Sequence, residues 1–135
     1  MKEITIKATL ENIEKATTFI DEELEKIECP MKPKMQIDIA TDEIFSNIAR
    51  YAYTPETGDA TIRIEFSDEP KSVRITFIDK GVPYNPLEKD DPNTTLSAEE
   101  REIGGLGIFM VKKSMDNMEY EYKDGQNILS ITKNI

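Results

Sequence analysis

The sequence predicts an α/β (α+β) fold: a two-layer sandwich with a mostly antiparallel mixed sheet and helices on one face. Three observations predict it. Alternating apolar and polar residues come in adjacent segments joined by short turns, the signature of antiparallel hairpins. Other stretches space their apolar residues by three and four, as helices with one buried face do. The chain has 135 residues, about one domain's length and enough for one core. With no internal repeat, a single domain over residues 1–135 is expected.

Glu3 to Ala8 reads as a short strand with Ile4 and Ile6 on one side. From Glu11 to Ile27, Ile13, Ala16, Phe19, Ile20, Leu24 and Ile27 make one apolar helical stripe, which Cys29-Pro30 ends. Pro33 suits the first turn of a second helix, where a missing N–H costs nothing. That helix is expected to run to about Tyr53 on the stripe Ile37, Ala40, Ile44, Ile48 and Ala52. After the loop 54–58, Ile62, Ile64 and Phe66 alternate with Thr61, Arg63 and Glu65, and Val73, Ile75 and Phe77 alternate again. The turn Ser67-Asp68-Glu69-Pro70 between them makes a hairpin. Asp79 to Arg101 is polar, carries Pro83, Pro86 and Pro92, and is too long for an ordinary connection, so a functional lid or a disordered segment is expected there. Gly104 opens a third helix through Ile108, Val111 and Met115. The last two strands, 118–123 and 127–133, flank Asp124-Gly125, a strong hairpin signal.

Composition removes several functions. Lys and Arg number 17 against 27 Asp and Glu, a net charge of −10. Nucleic acid and anionic membranes both attract basic surfaces, so neither is an expected partner. The chain has no His, so neither a Ser-His-Asp triad nor a His-based zinc site can form. Cys29 is the single cysteine; it can make no internal disulfide and reads as a small apolar residue in a reducing cytosol. No apolar segment follows Met1-Lys2-Glu3-Ile4, so a secretory signal is not expected. The longest apolar run, Ile108 to Val111, is far too short to span a bilayer. A cytoplasmic protein is expected. Its chemistry must rest on carboxylates, amides, Lys/Arg or a bound cofactor.

Three constellations could carry that chemistry. Glu43 and Asn47 lie four apart and share one helical face, with Arg50 three further on. A carboxylate can take a proton, and the amide oxygen beside it suits Mg²⁺. Asp79-Lys80-Gly81 ends a strand: the carboxylate can accept from an exocyclic amine, and Gly81 lets backbone approach a flat ring. Gly104-Gly105-Leu106-Gly107 opens a helix whose free N–H groups can face an anion. It is neither a Walker A loop nor a Rossmann fingerprint. Singly, each has an ordinary explanation: a solvated helix face, a strand-ending turn, a flexible lead into a packed helix.

Together, in this order, they resemble the GHKL (histidine kinase-like) ATPase superfamily. Glu43-xxx-Asn47 matches its N box, Asp79-x-Gly81 its first glycine box and Gly105-x-Gly107 its second, with residues from about 87 to 104 as the ATP lid. The compact length, and Gly125-Gln126-Asn127-x-Leu129 with Thr132-Lys133, resemble the anti-sigma factor serine/threonine kinase branch. One departure is Arg50-Tyr51, where the N box often carries His.

The resemblance implies a Bergerat-type ATP-binding fold and the cofactors ATP and Mg²⁺. It implies Glu43 as general base, Asn47 as Mg²⁺ ligand and Asp79 as reader of the adenine amine beside Gly81. Gly105, Leu106 and Gly107 would cradle the phosphates, and Thr132 would support adenine. Arg50 is a candidate for a phosphate or edge contact. The implied activity is a protein-serine kinase and anti-sigma factor that phosphorylates an anti-sigma factor antagonist. The implied partners are that antagonist and a sigma factor, with a homodimer also admitted. A nucleotide-gated binding module without kinase activity is the alternative. A detached histidine-kinase catalytic domain ranks third, since it needs a phosphoacceptor His. Arg101, Lys112 and Lys113 read as solvated charges near the lid, and Tyr51, Tyr53 and Tyr84 as packing residues.

Overall fold

A computed structural model describes residues 1–88 and 105–135. Among them the order is β1 (Lys2–Lys7), α1 (Ile13–Lys26), α2 (Met31–Asn47), β2 (Asp59–Asp68), β3 (Lys71–Asp79), α3 (Gly105–Ser114), β4 (Asn117–Lys123) and β5 (Gln126–Asn134). This is the expected sequence of elements. The expected ATP lid falls almost wholly on residues 89–104, outside the described residues. Among the described residues no helix is long and apolar enough to cross a membrane.

The helix ends follow local chemistry. α1 stops at a left-handed Glu28 (φ 54°), with the Cys29 N–H donating to Leu24 O at 3.1 Å and the Glu28 N–H to Glu25 O at 3.1 Å. That pair of bonds is a Schellman motif, which satisfies the last carbonyls of the helix. α2 starts at Met31, two residues before Pro33, and Pro33 lies in its first turn as its missing donor requires. After Asn47 the same helix widens into one π turn over Ile48–Ala52. Such a turn inserts a residue and re-aims side chains, and it recurs at functional sites.

The sheet order is β1-β2-β3-β5-β4. Every pairing is antiparallel, so the parallel component of the expected mixed sheet is absent among the described strands. One cross-strand row reads Ile4, Ile62, Phe77, Leu129, Tyr120. The row two residues along reads Ile6, Ala60, Asp79, Asn127, Tyr122. Both rows share one face, because side chains alternate with period two. The helices cover that face. Ala16, Ile20 and Leu24 of α1, Ile37, Ala40, Ile44 and Phe45 of α2, Val111 of α3 and Met115 just after it form one core with Ile62, Ile64, Ile75, Phe77 and Ile131. The other face is polar. It carries the Thr5–Thr61 hydroxyl pair, the Thr76–Ser130 pair, and the Arg63–Glu3 and Arg74–Glu119 ion pairs. Exposed pairs of this kind contribute about 0–1 kcal/mol each, so the fold rests on the core.

Candidate functional site

Where the rows of the sheet pass out from under α2, a polar residue replaces an apolar one. Asp79 closes β3 on the same face as Phe77, two residues on, and stands opposite Asn127 of β5. Asp79 and Asn127 are each 6% exposed. A buried carboxylate needs hydrogen bonds, and Asp79 Oδ1 receives two. The Gly81 N–H donates at 2.9 Å and Asn127 Nδ2 donates at 2.9 Å. Among the described residues nothing donates to Asp79 Oδ2.

These residues lie on the wall of a cavity of about 150 Å³ that opens to solvent. α2 and its π turn supply one wall through Ile44, Asn47, Ile48, Tyr51 and Ala52. Phe77 and Leu129 of the sheet, Ile108 of α3, and Val82, Pro83, Tyr84 and Pro86 of the segment after β3 supply most of the rest. The lining is thus largely apolar and aromatic, with Asn47, Asp79 and Asn127 as its polar points. A flat aromatic ligand carrying one amine fits that chemistry, since the apolar walls take its faces and Asp79 accepts from its edge.

Gly81 is set by close approach. A Cβ there would collide with the Ala52 carbonyl oxygen and the Ala52 carbons, while the neighbouring Val82 N–H donates to that carbonyl at 2.9 Å. The chain after β3 is thereby fastened to the end of the α2 π turn. Tyr53 ties the same region together, donating through its hydroxyl to Asp59 O at 2.5 Å and accepting from the Lys80 N–H at 2.7 Å. Burial raises the Tyr53 phenol above its ordinary value, opposed by the Lys80 bond, so the hydroxyl stays protonated and able to donate.

Glu43 and Asn47 meet as their spacing requires: Asn47 Nδ2 donates to Glu43 Oε1 at 3.2 Å. With its nitrogen so used, the Asn47 amide leaves Oδ1 without a donor among the described residues, on the cavity wall. One amide oxygen is a fitting protein contribution to Mg²⁺ carried on a nucleotide, because that ion keeps most of its coordination for water and phosphate oxygens. The Glu43 carboxylate lies against the first turn of α3. A Cβ at Gly107 would collide with its Cδ and both carboxylate oxygens. Gly105 and Leu106 form the start of α3, where N–H groups have no partner within the helix.

The structure therefore brings Glu43, Asn47, Asp79, Gly81 and the Gly105–Gly107 turn to one end of the molecule. It does not bring Thr132 there. Thr132 pairs with Arg74 and Asn117 on the polar face of the sheet, beside Glu65 and Arg74 in a shallow depression. The expectation that Thr132 supports a ring in the cavity is corrected. Strand parity puts Asn127, Leu129 and Ile131 inward and Thr132 outward. Arg50 is exposed and outside the cavity lining. Lys113 lies over the Phe109 ring at 5.3 Å on the helix surface, and Arg101 lies outside the described residues. Tyr53 packs as expected, but Tyr51 and Tyr84 line the cavity. Asn127 and Tyr120 also line it, and neither is among the site residues the sequence points to. Position 127, two residues into a strand after a tight turn, was the available signal.

The chain is 26% identical over 99 residues to the serine/threonine-protein kinase BtrW of Bordetella bronchiseptica, covering 73% of this chain and 69% of that protein. It is 24% identical over 128 residues to the serine-protein kinase RsbW of Bacillus pumilus, covering 91% and 73%. It is 30% identical over 106 residues to RsbW of Staphylococcus aureus, covering 72% and 63%. The profile of the histidine kinase-like ATPase domain runs over residues 6–133, from the first strand through the last and across all three constellations. With the sheet, the cavity and the match in agreement, the chain belongs to the histidine kinase-like ATPase domain family.

Proposed function

We propose that this protein is an ATP-dependent protein-serine kinase that phosphorylates an anti-sigma factor antagonist, and that it is itself an anti-sigma factor holding a sigma factor in the cytoplasm. The observation that carries the reading is that Asp79 and Asn47 line one mostly apolar cavity, with the Glu43 carboxylate bonded to Asn47 and lying against the first turn of α3. The names of the relatives, serine or serine/threonine protein kinases, support it. Asp79 accepts from the adenine amine, and Gly81 leaves the approach open. The N–H groups of Gly105, Leu106 and Gly107 face the phosphates. Asn47 Oδ1 would hold Mg²⁺, which would supply positive charge to offset that on the transferring phosphoryl group. Glu43 accepts the proton of the partner's serine hydroxyl as its oxygen bonds to the γ-phosphorus and the bond to the ADP oxygen breaks. Such transfer needs positioning and a base more than covalent chemistry by the enzyme.

Labelled Mg·ATP and candidate antagonist proteins test the reading. Glu43→Gln is expected to keep ATP affinity and slow transfer by about 10²–10⁴-fold, the range for a general base. Asn47→Ala is expected to weaken Mg²⁺-dependent binding. Transfer by Glu43→Gln at the wild-type rate overturns the base assignment. Nucleotide-dependent partner binding with no transfer by the wild type would replace the kinase with a nucleotide-gated binding module.

A further inference from the structure

Two helices that pack side by side over the sheet differ on their solvent sides. Every exposed residue of α1 is polar: Glu14, Lys15, Thr18, Glu22, Glu25 and Lys26. α2 buries Ile37, Ala40, Ile44 and Phe45 in the core, yet Met31, Met35 and Ile39 on its outer side are 68%, 55% and 61% exposed. Lying four apart, these residues form one stripe about 12 Å long. Single exposed apolar residues are ordinary, whereas a helix apolar on opposite sides is one that is covered on both. The core covers only one. The border of the stripe toward α1 is acidic. Asp38 lies between Met35 and Asp42 along the helix and faces Asp21, and Glu25 is one turn after Asp21 on α1. Asp21 and Asp38 each bury one oxygen that has no hydrogen-bond partner among the described residues. Lys34 Nζ stands 3.8 Å from Asp21 Oδ1 and attracts Asp38 as well, so it is shared between two carboxylates. The exposed Lys32 is on the border away from α1.

We infer that the outer stripe of α2 is a docking surface for an amphipathic helix of a partner protein, with apolar side chains on Met31, Met35 and Ile39 and Lys or Arg along the flank that faces α1. The inference stands apart from the cavity and from what fills it. Shape and charge choose the occupant. The side of a helix offers no free backbone donor or acceptor, so an extended strand gains nothing there, while a second helix can seat its own apolar stripe against the first. Two of the three anchors are Met, whose unbranched side chains re-pack against a partner's surface. Charge then sets the partner's flank. Asp38, Asp42, Asp21 and Glu25 border the stripe with Lys34 already shared, so a flank of Lys or Arg meets opposite charge and an acidic flank meets its own. The same border repels the phosphates of nucleic acid and of anionic lipid. A second copy of this chain would bring its own acidic border with it.

Two synthetic helical peptides of about 18 residues, long enough to hold helix in water, test this by calorimetric titration. Both carry the same leucine stripe; one has Lys on the flank and the other Glu. The Lys peptide is expected to bind one to one, about 10-fold or more tighter than the Glu peptide. Met35→Gln with Ile39→Gln is expected to weaken it by about 10-fold or more, as loss of two apolar anchors implies. Both positions are exposed, so the urea midpoint should stay at the wild-type value; if the pair does not fold, Ile39→Gln alone carries the test, with a loss of about 3-fold or more. Charge is tested separately. Asp42→Asn is expected to weaken the Lys peptide by about 2–5-fold, whereas Glu65→Gln, which removes the same charge from the exposed polar face of the sheet, should change it by less. Undiminished binding by the glutamine variants overturns the inference, as does equal or tighter binding of the Glu peptide. Equal losses in Asp42→Asn and Glu65→Gln would assign the attraction to net charge and overturn it too. Sedimentation velocity covers the second copy: self-association of the wild type that the glutamine variants abolish gives the stripe to another protomer and overturns the partner helix.

Discussion

Gly107→Ala isolates the contact between α3 and the general base of the proposed kinase. A methyl at position 107 would fall well inside van der Waals contact with all three atoms of the Glu43 carboxylate. A carboxylate is the far end of a flexible side chain. Glu43 can therefore retreat, by roughly 1 Å to reach an ordinary contact. The retreat strains or breaks the 3.2 Å bond from Asn47 Nδ2, a loss of about 0.5–1.5 kcal/mol. Ala in place of Gly inside a helix returns up to about 1 kcal/mol. The two nearly cancel, so stability should change by less than about 1 kcal/mol. Activity should not be spared. Displacing a catalytic group by about 1 Å can cost 10²-fold in rate. The assay is single-turnover transfer from labelled Mg·ATP to a serine-bearing antagonist, with urea denaturation alongside. The double variant with Glu43→Gln supplies the control: if the methyl acts through Glu43, it adds little once the base is gone. A wild-type rate in Gly107→Ala, or full additivity of the two losses, refutes the reasoning.

Two further outcomes concern the scaffold. Gly81→Ala directs its methyl at the backbone of Ala52, which cannot swing aside, and it should destabilise the protein by about 1–3 kcal/mol; an unchanged urea midpoint would contradict this. Asp38 of α2 faces Asp21 of α1, with Oδ1 of each buried and without a hydrogen-bond partner among the described residues, while Lys34 Nζ stands 3.8 Å from Asp21 Oδ1. Burial first, then the Asp21 hydrogen bond and charge, push Asp38 up to about 7 against the pull of Lys34. Because the raised value means the native state holds a proton the unfolded chain releases, this group's contribution is full below about pH 4 and is lost as pH rises through about 7. Asp38→Asn should remove that decline and melt higher than wild type at about pH 8. Equal pH slopes in the two proteins, read by thermal melts, would sink this account of Asp38.

Much of this architecture is legible locally. Spacings of three and four along Ala16, Ile20 and Leu24 bury one helix stripe, and alternation along Ile62, Ile64 and along Val73, Ile75, Phe77 buries one strand face. Asp124 and Gly125 both adopt positive φ, as a tight hairpin turn demands. These features depend on neighbours within a turn or two, so composition and period suffice. The same holds for Glu43 and Asn47, which a helix brings together at four residues' distance. Thr132 against Asn127 is a different kind of question. The strand Asn127-Ile128-Leu129-Ser130-Ile131-Thr132 has apolar residues of both parities, so its pattern does not say which face is inward. The register with β3, Asp79 opposite Asn127, and the helices packed over Phe77 and Leu129 settle it. The Gly107–Glu43 contact, the Asp21–Asp38 pair and the Gly81–Ala52 approach likewise join residues far apart in the chain. Which side chains meet across elements depends on strand register and helix packing, and those are set by the burial of the whole core at once rather than by any segment's own pattern.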